Sequence, residues 1–213
     1  MQKERKIILS LWCPMTVATN AETPLPMRER IIHAVADLFY RHGTYRLGVD
    51  DIVRELKVTR ATLYRHFEGK EALVVAYLEH RNITVQQDLL LLTTGKTPRD
   101  AVSAIFSSLV TKTGSNVFRG CSFLVAVAEN PGSDPIRATG RAHKLFLEKL
   151  FREVLDGFHE RDQLAEQLLL LYEGALAASV LRPDARPAET ARQVADMLVR
   201  HAVQALPTDG EPR

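Results

Sequence analysis

The sequence predicts an all-α fold with a small N-terminal head and a larger C-terminal helical body. Apolar residues recur at three- and four-residue spacing through most of residues 27–206, which is the period of an amphipathic helix. Capping residues, prolines and glycines separate the periodic segments. No segment shows the strict alternation of apolar and polar residues that predicts a strand.

The composition is that of an ordinary folded protein. The chain has 213 residues, 46% hydrophobic and 25% charged, and its net charge of +2 is too small to indicate a nucleic-acid partner by itself. The two cysteines, Cys13 and Cys121, stand far apart and form no CxxC pair, which favours the cytoplasm and predicts no cysteine-held metal. No apolar run approaches the ~18 residues of a membrane span, so no membrane partner is expected.

The first 26 residues are predicted to be a flexible extension. The stretch MQKERKIILSLWCPMTVATNAE has the basic start of a signal peptide. Its apolar patch is shorter than the usual ~7 to 15 residues, however, and no clear cleavage site follows. A flexible extension, or a true start at Met27, is the better interpretation, and whether residues 1–26 belong to the native protein stays open. Residues 207–213 are predicted to be a flexible tail.

The head is predicted over residues 27–69 as three helices. RERIIHAVADLFYRHG forms the first helix, and Gly43 ends it. VDDIVREL forms the second, with two acids in the first turn, where negative charge suits the helix dipole. The third helix begins after Thr59, which is a natural N-cap.

The body is predicted over residues 70–206. GKEALVVAYLEHRNITVQQDLLLL forms one long helix, and TPRD starts the next with Thr97 as its cap. NPGSDP breaks the chain and restarts it with Asp134 as cap and Pro135 in the first position. RPDARP is predicted to be a further loop before the last helix.

Residues 49–67 contain the pattern that predicts a function. Two short helices joined by a turn form the helix-turn-helix arrangement, whose second helix lies in the major groove of DNA. Its exposed Arg60 can bond a guanine edge through two hydrogen bonds, and threonine can offer a hydroxyl or a methyl group. Tyr64 and Lys70 suit phosphate oxygens. The apolar positions that hold the two helices are Val49, Ile52, Val53, Leu56, Val58, Leu63 and Phe67.

About fifty residues, RERIIHAVADLFYRHGTYRLGVDDIVRELKVTRATLYRHFEGKEALVVAYL, resemble the N-terminal signature of the TetR family of transcriptional regulators. TLYRHF followed by KEAL is the most recognisable part. The resemblance implies a three-helix DNA-binding head on a larger ligand-binding and dimerisation body. It implies that Thr59, Arg60 and Thr62 face bases, and that Tyr64, His66 and Lys70 hold phosphates.

Two positions depart from the family pattern. Lys57 stands in the turn where members usually carry glycine, and a left-handed backbone there would cost roughly 1 kcal/mol. That lysine also offers a further phosphate contact. Secondly, Leu47 and Gly48 replace the Thr or Ser that members favour before the first helix of the pair, so one phosphate contact is expected to be missing.

The body resembles the family less specifically, through the segment FRGCSFLVAVAEN. A site for a small organic ligand would be apolar, with a few polar groups, and would lie between helices. Plain core packing is the alternative for each aromatic candidate, an inert thiol for the cysteine, and a surface position for the histidine. The candidate ligand-binding residues are Phe106, Phe118, Cys121, Phe123, His143 and Phe146.

By analogy with the family, the last two helices are expected to form a homodimer interface. The small residues of YEGALAAS allow close helix approach, although packing within one chain would use them equally well. The candidate interface residues are Gly174, Ala175, Ala178, Val194, Leu198 and Ala205.

The resemblance therefore implies a homodimeric repressor that binds double-stranded DNA and leaves a palindromic operator when a small organic effector binds. An activator, or a DNA-binding protein with little sequence preference, stays open as an alternative. An enzyme is not expected, because HExxH, GxSxG, P-loop and Rossmann patterns are absent and the seven histidines show no ligand spacing. No cofactor or metal is expected.

Overall fold

The computed structural model describes residues 25–182 and 184–204. Within these ranges the chain forms nine α-helices and no strand, which confirms the predicted all-α class. The predicted extension up to residue 24 and the predicted tail lie outside the described residues. The helices are α1 (Met27–His42), α2 (Val49–Leu56), α3 (Arg60–His66), α4 (Lys70–Thr93), α5 (Pro98–Thr113), α6 (Ser122–Glu129), α7 (Asp134–Val154), α8 (Arg161–Leu181) and α9 (Arg186–Gln204).

Most helix ends lie where the capping residues predict them. The Thr59 hydroxyl accepts the backbone N–H of Thr62 at 3.1 Å, and the Thr97 hydroxyl accepts that of Asp100 at 3.2 Å. Gly43 ends α1 with φ 81°, a left-handed conformation that favours glycine.

Two predicted boundaries of the body are wrong. Asp134 is not the cap of α7: it occupies the first helical position, and the Ser133 hydroxyl accepts the backbone N–H of Ile136 at 3.3 Å. Because serine and aspartate are both good caps, their order in the chain decides which one fills the role. The last loop is also shorter than predicted, since α9 begins at Arg186, whose backbone N–H is accepted by Asp184 at 2.9 Å.

The described residues divide into two compact units. The first comprises the residues up to Asp88 together with Arg119–His143, and the second comprises Leu89–Phe118 together with the residues from Lys144 onward. The boundary after residue 69 that the sequence suggests stays a prediction.

The core of the first unit joins α1, α2 and α3 to the first turns of α4. Val35 and Ile52 are fully buried, and the rings of Phe39 and Tyr77 lie 5.6 Å apart between centroids. Leu73 of α4 is fully buried as well. The three short helices are therefore fixed against a longer helix that begins immediately after them.

The core of the second unit is an aromatic cluster drawn from three helices. The ring centroids of Phe106 and Phe151 lie 6.2 Å apart, and each of these rings lies within 6.5 Å of the Tyr172 ring. Helix α9 packs against α5 and α8 with buried alanines on its inner face.

Helix α8 is long and apolar enough to cross a membrane, by length and composition alone, which the sequence-based expectation missed. One side of the helix is buried: Leu168 and Ala165 are fully enclosed within the second unit. A long apolar helix is also what the core of a large bundle uses, so this composition does not distinguish the two situations.

Candidate nucleic-acid interface

Helices α2 and α3 are joined by a tight turn at Lys57 and Val58. Lys57 has φ 53° and ψ 40°, which is a left-handed backbone conformation. The conformation that usually favours glycine in this turn is therefore present with a lysine. The backbone N–H of Val58 returns to the carbonyl oxygen of Val53 at 3.1 Å, which closes the end of α2. The Lys57 side chain is exposed.

Helix α3 is anchored on one face and exposed on the other. Leu63 and Phe67 are 2% and 5% exposed, as predicted for the residues that hold this helix. The Arg28 guanidinium of α1 lies 5.2 Å from the centroid of the Phe67 ring, a cation–π distance. The opposite face presents Arg60 and Tyr64 to solvent.

The two threonines predicted to face bases already have partners for their hydroxyl groups. Thr59 caps the helix, and its hydroxyl lies 2.9 Å from that of Thr62. Thr59 is exposed and Thr62 is half-buried. Whichever of the two hydroxyls donates, one O–H of the pair is not used within it, so a hydroxyl and both methyl groups are left for contact with a base edge.

Arg60 is paired with an acid that the sequence did not single out. Its Nε donates to the Asp50 Oδ1 at 2.7 Å, and its Nη2 pairs with the same oxygen. This hydrogen-bonded carboxylate raises the pKa of Arg60 above its usual value. Asp50 lies in the first turn of α2, and only the fold of the turn brings it to a residue ten positions later.

The three residues predicted to hold phosphates surround the exit of α3. Tyr64 is 49% exposed, whereas His66 and Lys70 are half-buried. The Lys70 ammonium donates to the backbone carbonyl of Tyr45 at 3.0 Å, and burial lowers the pKa of this lysine. Lys70 therefore sits at the start of α4, in contact with the loop that precedes α2.

That loop is held by an acid at the end of α6. The Glu129 carboxylate accepts the backbone N–H of Thr44 at 2.6 Å, the Thr44 hydroxyl at 2.8 Å and the backbone N–H of Tyr45 at 3.0 Å. The Asn130 amide donates to the same hydroxyl at 2.8 Å. A Cβ at Gly43 would lie 2.3 Å from the Glu129 Oε1, so only glycine permits this approach. We refer to this set of hydrogen bonds as the Thr44–Glu129 contact. No local sequence pattern predicts it.

Three of the candidate ligand-binding residues lie in the first unit. Phe123 and His143 stack face to face with 3.8 Å between ring centroids, and the His143 Nδ1 lies 3.0 Å from the Asn82 Oδ1. His143 is 5% exposed, so the alternative of a surface histidine is wrong. Cys121 is buried at the start of α6.

The other three lie in the second unit. Phe106 belongs to the aromatic cluster with Phe151 and Tyr172, which is the core packing weighed as the alternative. The Phe118 ring lies 5.5 Å from the ammonium of the buried Lys112. Phe146 is half-buried on α7.

The candidate interface residues border a groove between α8 and α9. Its volume is about 590 Å³, and its lining includes Gly174, Ala175, Ala178 and Val194. Leu170, which is 71% exposed, forms part of the same lining. Of the remaining candidates, Leu198 is half-buried on α9 and Ala205 lies outside the described residues.

The chain is similar to bacterial regulators in sequence and in fold. Residues 31–77 match the family described as "Bacterial regulatory proteins, tetR family". A TetR-family transcriptional regulator from Streptomyces coelicolor is 32% identical with a TM-score of 0.76, over 82% of this chain and 95% of that one. The reduced form of NemR from E. coli, at 23% identity, shares the fold with a TM-score of 0.72, over 81% of this chain and 97% of that one.

Among the curated relatives, the similarity covers only part of the chain. The A-factor receptor protein of Streptomyces griseus is 38% identical over 56 residues, which are 26% of this chain and 20% of that protein. This chain thus matches about a fifth of the length of that relative.

Proposed function

Because the chain belongs to the TetR family of transcriptional regulators, we propose that it is a cytoplasmic homodimeric repressor that leaves a palindromic DNA operator when a small organic ligand binds. Members of this family are DNA-binding regulators and not enzymes, so the predicted class of protein is confirmed. The operator, the dimer and the ligand response belong to the proposal.

The observation that carries the proposal is the exposed face of α3. A seven-residue helix has no stability of its own, and the buried Leu63 and Phe67 keep it formed and fixed in direction. The exposed side then offers an arginine, methyl groups and a phenol in the pattern that reads base edges and holds phosphates. A solvated surface helix needs neither the anchors nor this combination of groups.

The homodimer is supported by the groove between α8 and α9. Its lining combines small residues with the exposed Leu170, and a second copy of the same two helices would bury that leucine. A two-fold dimer of this kind presents two reading helices, which match half-sites about 34 Å apart or a multiple of that distance.

Release by a ligand is supported by the Thr44–Glu129 contact. It joins α6, which follows the buried Cys121 and contains the buried Phe123, to the loop that leads into α2. A ligand that displaces α6 would disturb this loop. It weakens operator binding only if it binds the released state better than the DNA-bound state.

The DNA-binding proposal is tested by selection from a random duplex library with the wild type, Arg60→Ala and the control Arg99→Ala. Arg99 is an exposed arginine of the second unit, paired with Asp196. We expect a palindrome with the wild type and the control, and loss of one base preference in each half-site with Arg60→Ala. Equal binding of all duplexes would instead support a DNA-binding protein with little sequence preference.

The dimer is tested at Gly174, where an added Cβ meets nothing within 4 Å in the single chain. Gly174→Leu should therefore fold normally and sediment as a monomer, because the larger side chain blocks close approach of a second copy. Gly132→Leu, a loop position with the same open space, is the control. A Gly174→Leu dimer as tight as the wild type would contradict this placement of the interface.

The ligand step is tested by screening small organic compounds for a rise in melting temperature and then measuring operator affinity with each hit. We expect at least one compound to raise the melting temperature and weaken operator binding. A compound that binds the protein tightly and leaves operator affinity unchanged contradicts the release mechanism for that compound.

A further inference from the structure

The pair formed by Asp50 and Arg60 crosses the turn between α2 and α3 and is largely exposed to solvent. The two side chains are 65% and 61% exposed, so burial does not force them together. Exposed ion pairs add little to stability, because water and salt screen the attraction between the charges. The geometry of the pair is therefore better understood through what it does to the guanidinium than through what it adds to the fold.

The pair occupies one edge of the guanidinium and leaves another edge open. Arg60 directs Nε and Nη2 to a single oxygen of Asp50. A guanidinium carries five N–H donors, so both Nη groups keep outward N–H bonds along the end of the side chain. Two donors on one edge are what the O6 and N7 acceptors of guanine require.

Both ends of the pair are attached to fixed backbone. Arg60 is the first residue of α3, directly after the Thr59 cap, and Asp50 lies in the first turn of α2. Negative charge is favoured there by the helix dipole, which suits a carboxylate at this position. An unpaired arginine would instead sample many rotamers and lose that freedom on binding.

We propose that Asp50 is a specificity-determining residue that positions the Arg60 guanidinium for guanine in each half-site. This inference rests on the proposed DNA-binding function. The carboxylate has a second effect, since it repels backbone phosphates and so weakens binding to operator and random duplexes alike. Asp50 thus sharpens recognition by holding the correct contact in place, while its repulsion of phosphates lowers the affinity for DNA in general.

The opposite interpretation is that Asp50 only withholds Arg60 from DNA. Positioning predicts that removing the acid lowers the preference for guanine. Withholding predicts that it raises operator affinity and leaves the preference intact. The two interpretations therefore predict different base preferences at the position that Arg60 contacts. A simple loss of fold stability would not change the preference at one position alone.

The test compares Asp50→Ala with the wild type, Arg60→Ala and the double variant. Glu55→Ala is the control, because Glu55 is an exposed acid of the same helix that forms no ion pair within the described part of the chain. Binding is titrated on the selected operator, on operators altered at the Arg60-dependent base pair, and on random duplex. Thermal unfolding verifies that every variant is folded.

We expect Asp50→Ala to reduce the discrimination at that base pair roughly tenfold, a large part of the ~5- to 150-fold that a bidentate contact supplies. Binding to random duplex should become tighter, and Asp50→Ala should have no further effect on discrimination in the Arg60→Ala background.

Several results would overturn the inference. Unchanged discrimination with tighter operator binding would establish withholding instead of positioning. The same loss of discrimination in Glu55→Ala would assign the effect to net charge alone. If the wild type shows no base preference at all, the proposed function fails as well. If the wild type and Arg60→Ala differ as expected and Asp50→Ala behaves like the wild type, only the proposed role of Asp50 fails.

Discussion

The segment from α2 to the exit of α3 and the aromatic cluster of the second unit use large side chains in opposite ways. In residues 49–67, a few buried residues hold a face of polar side chains in contact with solvent. In the cluster, Phe106, Phe151 and Tyr172 come from three different helices and bury one another. The first arrangement is local in sequence, so its function can be predicted from spacing. The second depends on contacts between distant parts of the chain.

The largest expected effect lies in the cluster. Phe106→Ala should lower the free energy of unfolding by about 3–5 kcal/mol, because a fully buried ring leaves a cavity. Tyr64→Ala, at a 49% exposed position of α3, should change it by less than about 0.5 kcal/mol. Denaturant titration followed by circular dichroism measures both. Similar losses in the two variants would break the contrast between a packed region and an exposed reading face.

The next effect concerns the loop that leads into α2. Glu129→Gln keeps the shape of the side chain but removes the charge that three donors share, so we expect a loss of about 1–3 kcal/mol. Faster hydrogen exchange at the Thr44 and Tyr45 amides would place that loss in the loop. Glu79→Gln, at an exposed acid of α4, is the control. Unchanged exchange at both amides would show that the loop is held by other contacts.

A third effect depends on pH and involves a polar side chain buried in α4. Asp88 is 7% exposed, and burial raises its pKa to about 6, with Arg81 acting in the opposite direction. Because the pKa of Asp88 is higher in the folded state than in the unfolded chain, protonation of Asp88 stabilises the fold. This contribution to the free energy of unfolding is complete at low pH and is lost as the pH rises through about 6.

The advantage of Asp88→Asn over the wild type in unfolding free energy should therefore grow by about 1 kcal/mol between pH 5 and pH 8. Denaturant titrations of both proteins at the two pH values measure it. Asp37→Asn, at a half-buried acid of α1 paired with Arg41, is the control. A constant difference between the two proteins would mean that Asp88 ionises normally.

The smallest effect is expected at Lys57 and Glu160, the two non-glycine residues with left-handed backbone in the described part of the chain. Lys57→Gly and Glu160→Gly should each stabilise the fold by about 0.5 kcal/mol, since glycine relieves the strain but increases the entropy of the unfolded chain. Only Lys57→Gly should also reduce the salt dependence of DNA binding, by about one unit of slope, which is the share of a single lysine bound to a phosphate. An equal change in slope for both variants would contradict a phosphate contact at Lys57.

Sequence patterns predicted much of the head and less of the body. The bounds of α2 match the predicted stretch VDDIVREL, and the Thr59 cap and the anchors Leu63 and Phe67 are confirmed, since each depends on neighbours within a few residues. The left-handed backbone at Lys57, which the sequence raised only as a condition, is present as well.

The misses involve long-range contacts or competing local choices. Glu129 meets Thr44 across 85 positions, and His143 is buried by stacking on Phe123 twenty positions earlier. Ser133 and Asp134 are adjacent residues of equal capping ability, so spacing alone did not separate them. Spacing along one helix cannot identify which distant element packs against it.

The Thr44–Glu129 contact also bears on how the head could be exchanged between related regulators. A chimera that took residues 27–69 from a relative with a residue other than glycine at position 43 would bring a side chain there while keeping Glu129. Any side chain there would collide with the carboxylate, because a Cβ already lies 2.3 Å from it. The unit to exchange therefore consists of two segments of sequence, the head and the end of α6. A chimera that replaces both segments together keeps the Thr44–Glu129 contact.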